Sequence, residues 1–344
     1  MTTTLKQITR QFQRTFTGLV NLGKRAKHRL ENVLTTGDDP GMPDPSGPST
    51  GHEVLEFLQA LIKAEVTGGE EDVYPLLSAH LSLLDQRFVA AITTFSHAIY
   101  AEGDLEQSEM IAALIENLSI RIGNFPGGNF LENQNIAIAG FQLVLEAHPR
   151  ERVPEKYAQS LTNMGNAYLT RAQLGDNSAE NLNLAISAYQ EAQEILRELK
   201  LSKDLATTLT NLGSAYLIRA ELGDNSAENL NLAIAAYQEA EEIYRNLNLF
   251  KNLASTLTNL GTAYLTCAEL GDNCGTNLNL AIAAYQESEE IRRNLNLFKD
   301  LASTLTNLGS AYRNRAELGY NSIKNLNLAI AAYQESEEIY RELN

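Results

Sequence analysis

Along residues 2–34 apolar side chains recur at spacings of three and four: Leu5, Ile8, Phe12, Phe16, Leu19, Ala26, Leu30 and Val33, with Gly23 on the same face. Lys6, Arg10, Arg14, Lys24 and Lys27 take the other side, so the pattern predicts a basic amphipathic helix over residues 1–34. The stretch 35–51, TTGDDPGMPDPSGPSTG, interrupts it, and that density of Pro, Gly, Asp and Ser predicts a flexible linker. Helical spacing returns over 52–104, in Val54, Leu55, Leu58, Leu61 and Ile62 and then in Leu76, Leu77, Leu81, Leu84, Phe88, Ile92 and Phe95. Three helices are expected there, broken near Gly68 and Gly69 and around Leu84.

Beyond this the pattern repeats every 48 residues. LTNMGNAY at Leu161–Tyr168 returns as LTNLGSAY at Leu209–Tyr216, LTNLGTAY at Leu257–Tyr264 and LTNLGSAY at Leu305–Tyr312. Four copies are therefore expected, 157–204, 205–252, 253–300 and 301–344. NQNIAIAGFQ at Asn133–Gln142 lies 48 residues before NLNLAISAYQ at Asn181–Gln190, which marks a degenerate copy over 105–156 and makes 52–104 an N-terminal helical cap. Within the copy 205–252, one helix is predicted over Leu205–Leu222 with Gly223 as its stop. Asn225 and Glu228, like Asn177 and Glu180, have the spacing of a capping box. The second helix should run from about Ala227 to Leu247, with Leu230, Ala233, Ile234, Tyr237, Ala240 and Tyr244 as its apolar stripe and Glu239 and Glu242 outside it. The fold class expected is all-α, an α-solenoid of helical hairpins with each unit buried by its neighbours.

Charge modifies this picture at one end. The net charge is -16, yet residues 1–34 carry seven Lys/Arg against one acid, so a basic arm precedes an acidic body. That balance argues against nucleic acid as a partner, because phosphate binding needs clustered Lys and Arg on the contacting face. The two cysteines, Cys267 and Cys274, fall in one copy where another has Arg219 and Ser226, which suits free thiols in a reducing cytoplasm. No run of 18 apolar residues and no secretory signal is present, so a cytoplasmic protein is expected. Phosphate-loop, dinucleotide, zincin and nucleophile-elbow motifs are missing, and neither enzymatic activity, nor a cofactor, nor a metal is expected.

Leu209, Leu212, Gly213 and Tyr216, followed by Ala233, Tyr237 and Ala240, resemble the signature of the tetratricopeptide repeat (TPR). The period is longer than that family's, the extra residues falling in GDNSAEN and NLFKN, and the usual proline between units is missing. VYPLLSAHLSLLD at Val73–Asp85, FPGGNFLENQNIAIAGFQ at Phe125–Gln142 and the LGDNSAENLNLAI units together resemble the TPR half of cyanobacterial proteins that often end in a caspase-like CHAT protease domain. That likeness covers about residues 52–344 and includes no protease. It leaves a second reading open, a regulatory or sensor part of a protease system encoded separately.

The first helix of each copy carries a second stripe, placed opposite its packed seam. It reads Gln159, Asn163, Asn166, Thr170; Thr207, Asn211, Ser214, Ile218; Ser255, Asn259, Thr262, Thr266; and Ser303, Asn307, Ser310, Asn314. Ser, Thr and Asn are poorer helix formers than Glu, Lys or Ala, so something other than helix stability selects them. Close packing between units is one reason. The TPR resemblance implies another: an Asn at the position of Asn163, Asn211, Asn259 and Asn307 bonds the main chain of an extended peptide on a concave surface. Arg171, Arg219 and Arg315 would add a preference for acidic side chains, a row that Cys267 breaks. No Lys or Arg stands ready to clamp a terminal carboxylate, so an internal segment is the expected ligand.

A protein partner is thus expected for the repeats. For the arm, Lys6, Arg10, Phe12, Arg14, Phe16 and Leu19 suit an anionic membrane surface or, alternatively, a partner helix or the acidic solenoid itself. Tyr333 and Tyr340 belong to a last unit with no polar cap after it, which leaves room for a homo-oligomer through that end.

Overall fold

The computed structural model describes residues 51–102 and 104–343, so the basic helix expected over residues 1–34, with Lys6, Arg10, Phe12, Arg14, Phe16 and Leu19, lies outside the described residues. Those residues form α1 (Gly51–Thr67), α2 (Glu70–Ala79), a 3-10 turn (Leu81–Leu83), α3 (Gln86–Glu102), α4 (Leu105–Asn124), α5 (Phe130–Ala147) and α6 (Pro154–Gln173). They continue with α7 (Ser178–Glu198), α8 (Ser202–Glu221), α9 (Ser226–Asn246), α10 (Phe250–Glu269), α11 (Cys274–Asn294), α12 (Phe298–Glu317) and α13 (Ser322–Leu343). No strand occurs among the described residues, and the helices pack in adjacent pairs, so the fold is an all-α solenoid of helical hairpins. The described residues divide within α7 into two compact units, one up to residue 188 and one from residue 189.

In the first unit the helical breaks lie at Gly68 and Gly69 and across the 3-10 turn before α3. Val54, Leu58, Leu61, Leu77, Phe88, Ile92 and Ile99 interlock with Ile111, Ile115 and Leu118 of α4 in one core. Arg121 on α4 pairs with the buried Glu65 carboxylate of α1, which fixes these helices beyond their apolar contact. α4 opens with a capping box in which Asp104 accepts from the Gln107 amide N–H and the Gln107 side chain accepts in return. Gly140 lets α5 approach α4, since a Cβ there would lie 1.9 Å from Ser119 Oγ.

His148, at the C-terminal end of α5, is completely buried and neither ring nitrogen has a hydrogen-bond partner among the described residues. Burial, then Lys156 and Arg152, hold its imidazole below the usual histidine range, against an opposing pull from Glu109. A depressed value means that the unfolded chain takes the proton more readily, so this contribution to stability is complete above about pH 6.5 and is lost as pH falls through and below it. Urea midpoints followed from pH 7.5 to 5 should fall less steeply for His148→Leu than for the parent protein. Equal slopes would assign the acid sensitivity elsewhere.

The second unit shows why the 48-residue pattern gives hairpins. A Cβ on Gly213 would come 2.7 Å from Tyr237 Cε1, and Gly261 and Gly309 stand in the same relation to Tyr285 and Tyr333. The Tyr237 and Tyr285 rings fill that space with no exposed surface, a burial contributing on the order of 2 kcal/mol each. Gly223, at φ 84°, ends α8 with its N–H on the Ala220 carbonyl while the Asp224 N–H reaches Arg219.

The capping boxes expected from Asn225 with Glu228, and from Asn177 with Glu180, are not what starts the second helices. Asn225 adopts the left-handed conformation, φ 42°, and its side chain makes no capping bond; Asn177, at φ 39°, is left-handed too. The reason is geometric, because a capping side chain needs an extended backbone at that residue. Ser226 Oγ instead donates to the Ala220 carbonyl and Asn229 Nδ2 to the Asp224 carbonyl, at 2.8 and 2.7 Å, so the loop is pinned from inside.

Successive hairpins of this unit meet through recurring polar contacts. Gln190, Gln238 and Gln286 each donate an amide to the hydroxyl of Tyr216, Tyr264 and Tyr312 in the next first helix, at 2.8, 2.9 and 2.9 Å. Arg197–Glu239, Arg245–Glu287 and Arg293–Glu335 pairs, at 2.9, 2.6 and 2.6 Å, bridge the second helices. On α13 the equivalent apolar positions are uncovered: Leu326 is 44% and Ile330 53% exposed, against 2% for Leu230 and 5% for Ile282.

Candidate partner-binding face on the first helices

The first helices are α6 in the first unit and, in the second, α8, α10 and α12. Within the second unit α8 meets α10 and α10 meets α12 directly, whereas the second helices are joined by the long Arg–Glu pairs. First helices therefore touch one another along that stack. Thr210 Oγ1 and Thr256 Oγ1 touch across it at 3.1 Å, and Asn314 Nδ2 donates to Glu269 Oε1 at 2.9 Å.

Asn163, Asn211, Asn259 and Asn307 all stand half-buried on these helices. No hydrogen bond joins the Asn163, Asn259 or Asn307 amide to another described residue, whereas Asn166 and Asn211 have partners. In the first unit Asn163, Asn166 and Thr170 line a cavity of about 110 Å³ together with Gln134 and Phe141 of α5. Gln134 Nε2 is held by the Gly123 carbonyl at 2.6 Å, so one wall of this cavity is fixed.

The hydroxyls of the row do not lie opposite the packed seam. Tyr237 OH donates to Ser214 Oγ at 3.0 Å, and Thr262 with Tyr285 and Ser310 with Tyr333 form the same contact at 3.0 Å. Ser214 follows Gly213 directly, so it sits at the margin of the seam that Gly213 opens, within reach of the tyrosine tip. Each of these hydroxyls also donates back to the carbonyl four residues earlier. Ser214, Thr262 and Ser310 therefore close the hairpin. Thr207 does the same with Tyr244 at 3.0 Å.

The arginine row is also divided. Arg171 pairs with Asp176 at 2.6 Å and Arg219 with Asp224 at 2.7 Å, so each braces the loop that follows its own helix. Arg315 has no such partner, because Tyr320 occupies the place of those aspartates. Next to the hydroxyls, burial and then the Glu269 carboxylate push the Glu221 carboxyl above its usual range. The first helices thus combine amides, tyrosine-bound hydroxyls and acidic side chains.

A second asparagine series was not singled out by sequence reasoning. Asn133, Asn181, Asn229, Asn277 and Asn325 are buried, and each donates Nδ2 to a carbonyl of the preceding loop. Their recurrence at 48-residue spacing was the available signal. Among the described residues no group of three or more His, Cys, Asp or Glu could hold a metal ion, and no helix is long and apolar enough to cross a membrane. Cys267 is buried and Cys274 half-buried, both as free thiols.

No protein-family model matches the chain, and no curated protein is significantly similar to it. Among solved structures, the chain is similar to apo RapI at 14% identity and a TM-score of 0.47, over 84% of this chain and 98% of that one. It is also similar to BtubC (BKLC) from P. vanneervenii, at 18% identity, a TM-score of 0.42 and 84% and 92% coverage, and to MamA, at 19%, 0.39, 61% and 90%. Likeness at this level carries no argument about function, so the functional reading rests on the residues of the first helices.

Proposed function

We propose that this chain is a non-catalytic interaction scaffold that holds an extended, internal segment of a partner protein along its first helices, with Asn163, Asn211, Asn259 and Asn307 gripping main chain. The observation that supports this reading most is the half-buried asparagine at every 48th residue, three of the four with no bond to another described residue. An amide carries donors and acceptor lone pairs together, so it pairs with both the N–H and the C=O of an extended strand whatever its sequence. Packed helices lie roughly 8–10 Å apart, close to the length of three extended residues, so one grip per helix suits a strand running across them. Residues 1–34 would serve as the arm that localises the scaffold.

The test is a displayed library of random linear peptides, selected on the full chain. Binding of the selected peptides should weaken at least tenfold in the double variant Asn259→Ala and Asn307→Ala while its thermal midpoint stays that of the parent. A midpoint that drops as binding is lost would assign the asparagines to packing.

A further inference from the structure

Arg315 stands at a break in a pattern that two of the other three copies keep. In two other copies the arginine at this position is neutralised by an aspartate five residues on, Arg171 by Asp176 and Arg219 by Asp224. In the third copy the aspartate remains as Asp272 but Cys267 replaces the arginine; in the fourth the arginine remains but Tyr320 replaces the aspartate. Asp272 accepts from its neighbour Asn273 at 2.9 Å and makes no ion pair with Arg315. Among the described residues Arg315 has no carboxylate within ion-pair distance, although Arg313 on the same helix pairs with Glu317.

This uncompensated guanidinium lines a cavity of about 600 Å³ between the start of α11 and the α12–α13 loop. Asn273, Thr276, Asn279 and Tyr320 line it as well, and none of them brings a negative charge. Tyr320 leans against the opposite wall: a Cβ on Gly275 would meet its hydroxyl oxygen at 2.7 Å, so the residue that displaced the aspartate also shapes the cavity. A guanidinium offers five N–H donors in a planar fork that matches the two oxygens of a carboxylate or phosphate, and amides and hydroxyls beside it can complete the shell.

We infer that the cavity bounded by Arg315, Tyr320, Asn273 and Asn279 binds an oxyanion, a carboxylate or a phosphate group, through the Arg315 guanidinium. The sequence places Arg315 beside the proposed peptide grip as a residue favouring acidic side chains, but the cavity lies at the loop edge and uses none of the ladder asparagines, so a small oxyanion tests it separately. It also predicts its own reversal. Tyr320→Asp would supply Arg315 with the partner that Arg219 has in Asp224 and close the site while keeping a loop geometry that the fold already uses.

The experiment titrates the full chain at low ionic strength with malonate in one arm and inorganic phosphate in the other, following the side-chain Nε–Hε signal of Arg315 and heat of binding. Saturable binding of at least one probe is expected, the stronger arm identifying the oxyanion class. Arg315→Gln and Tyr320→Asp should each weaken it at least tenfold with thermal midpoints unchanged. The proposal is overturned if neither probe binds, or if binding persists in both Arg315→Gln and Tyr320→Asp. Failure of the peptide selection would leave this result unaffected.

Discussion

Gly261→Leu should lower the stability of the second unit by more than about 3 kcal/mol, at the upper end of what overpacking costs. A Cβ at this position would already lie 2.7 Å from Tyr285 Cε1, and leucine adds three further carbons in the same direction. The ring has nowhere to go, since Tyr285 has no exposed surface and its hydroxyl is tied to Thr262 at 3.0 Å. Helix propensity pulls the other way, but glycine in a helix interior costs only about 1 kcal/mol relative to the best residue. The clash therefore sets the sign, and it should do so even for Gly261→Ala, with a smaller loss. Urea unfolding monitored by circular dichroism measures both, and adding Tyr285→Ala to Gly261→Leu should recover part of the loss because the two residues share one space. An unchanged midpoint for Gly261→Leu would mean that the helices of this hairpin are not held in close approach.

Arg292→Tyr is expected to act in the opposite direction, stabilising the protein by about 1–3 kcal/mol. Arg292 is 6% exposed and occupies the place held by Tyr244 one copy earlier, itself 2% exposed. Its guanidinium donates to the Asp300 carbonyl at 2.6 Å and to Thr304 Oγ1, two neutral acceptors. Burial holds it below the ordinary arginine range, only partly offset by the Asp300 charge, which is the signature of a cation kept from water without full compensation. Removing it leaves no orphan, because Thr304 Oγ1 still donates to the Asp300 carbonyl at 3.1 Å. A tyrosine there would also find Ser255, the counterpart of the Thr207 hydroxyl that Tyr244 meets at 3.0 Å. A lower urea midpoint for the variant would show that the guanidinium bonds outweigh the desolvation of the charge.

The hairpins were legible because the residues that make them are the ones that repeat. Gly213, Tyr237 and Gly223 each solve a local problem, and the same letters at a fixed interval announce the same solution. The candidate face was legible only in part. Asn211 and Ser214 are three residues apart on one helix and look alike on a wheel. What separates them is the hydroxyl of Tyr237, 23 residues beyond Ser214 and brought back by the turn. Arg219 and Asp224 escaped for a related reason, since their pairing at 2.7 Å spans a helix end and follows no helical spacing rule. Asn225 misled because cap residues and left-handed residues are drawn from the same short roster of side chains, and only the backbone angle distinguishes them.

The amide-to-tyrosine contact between hairpins gives the second unit a direction. Each hairpin carries a glutamine on one flank and a tyrosine on the other, as in Gln238 to Tyr264 and Gln286 to Tyr312. A hairpin turned end for end would bring like against like, two amides at one seam and two phenols at the next. The stack therefore behaves as a polar filament in miniature: a further unit can be spliced in anywhere with the same orientation, and none can be spliced in reversed.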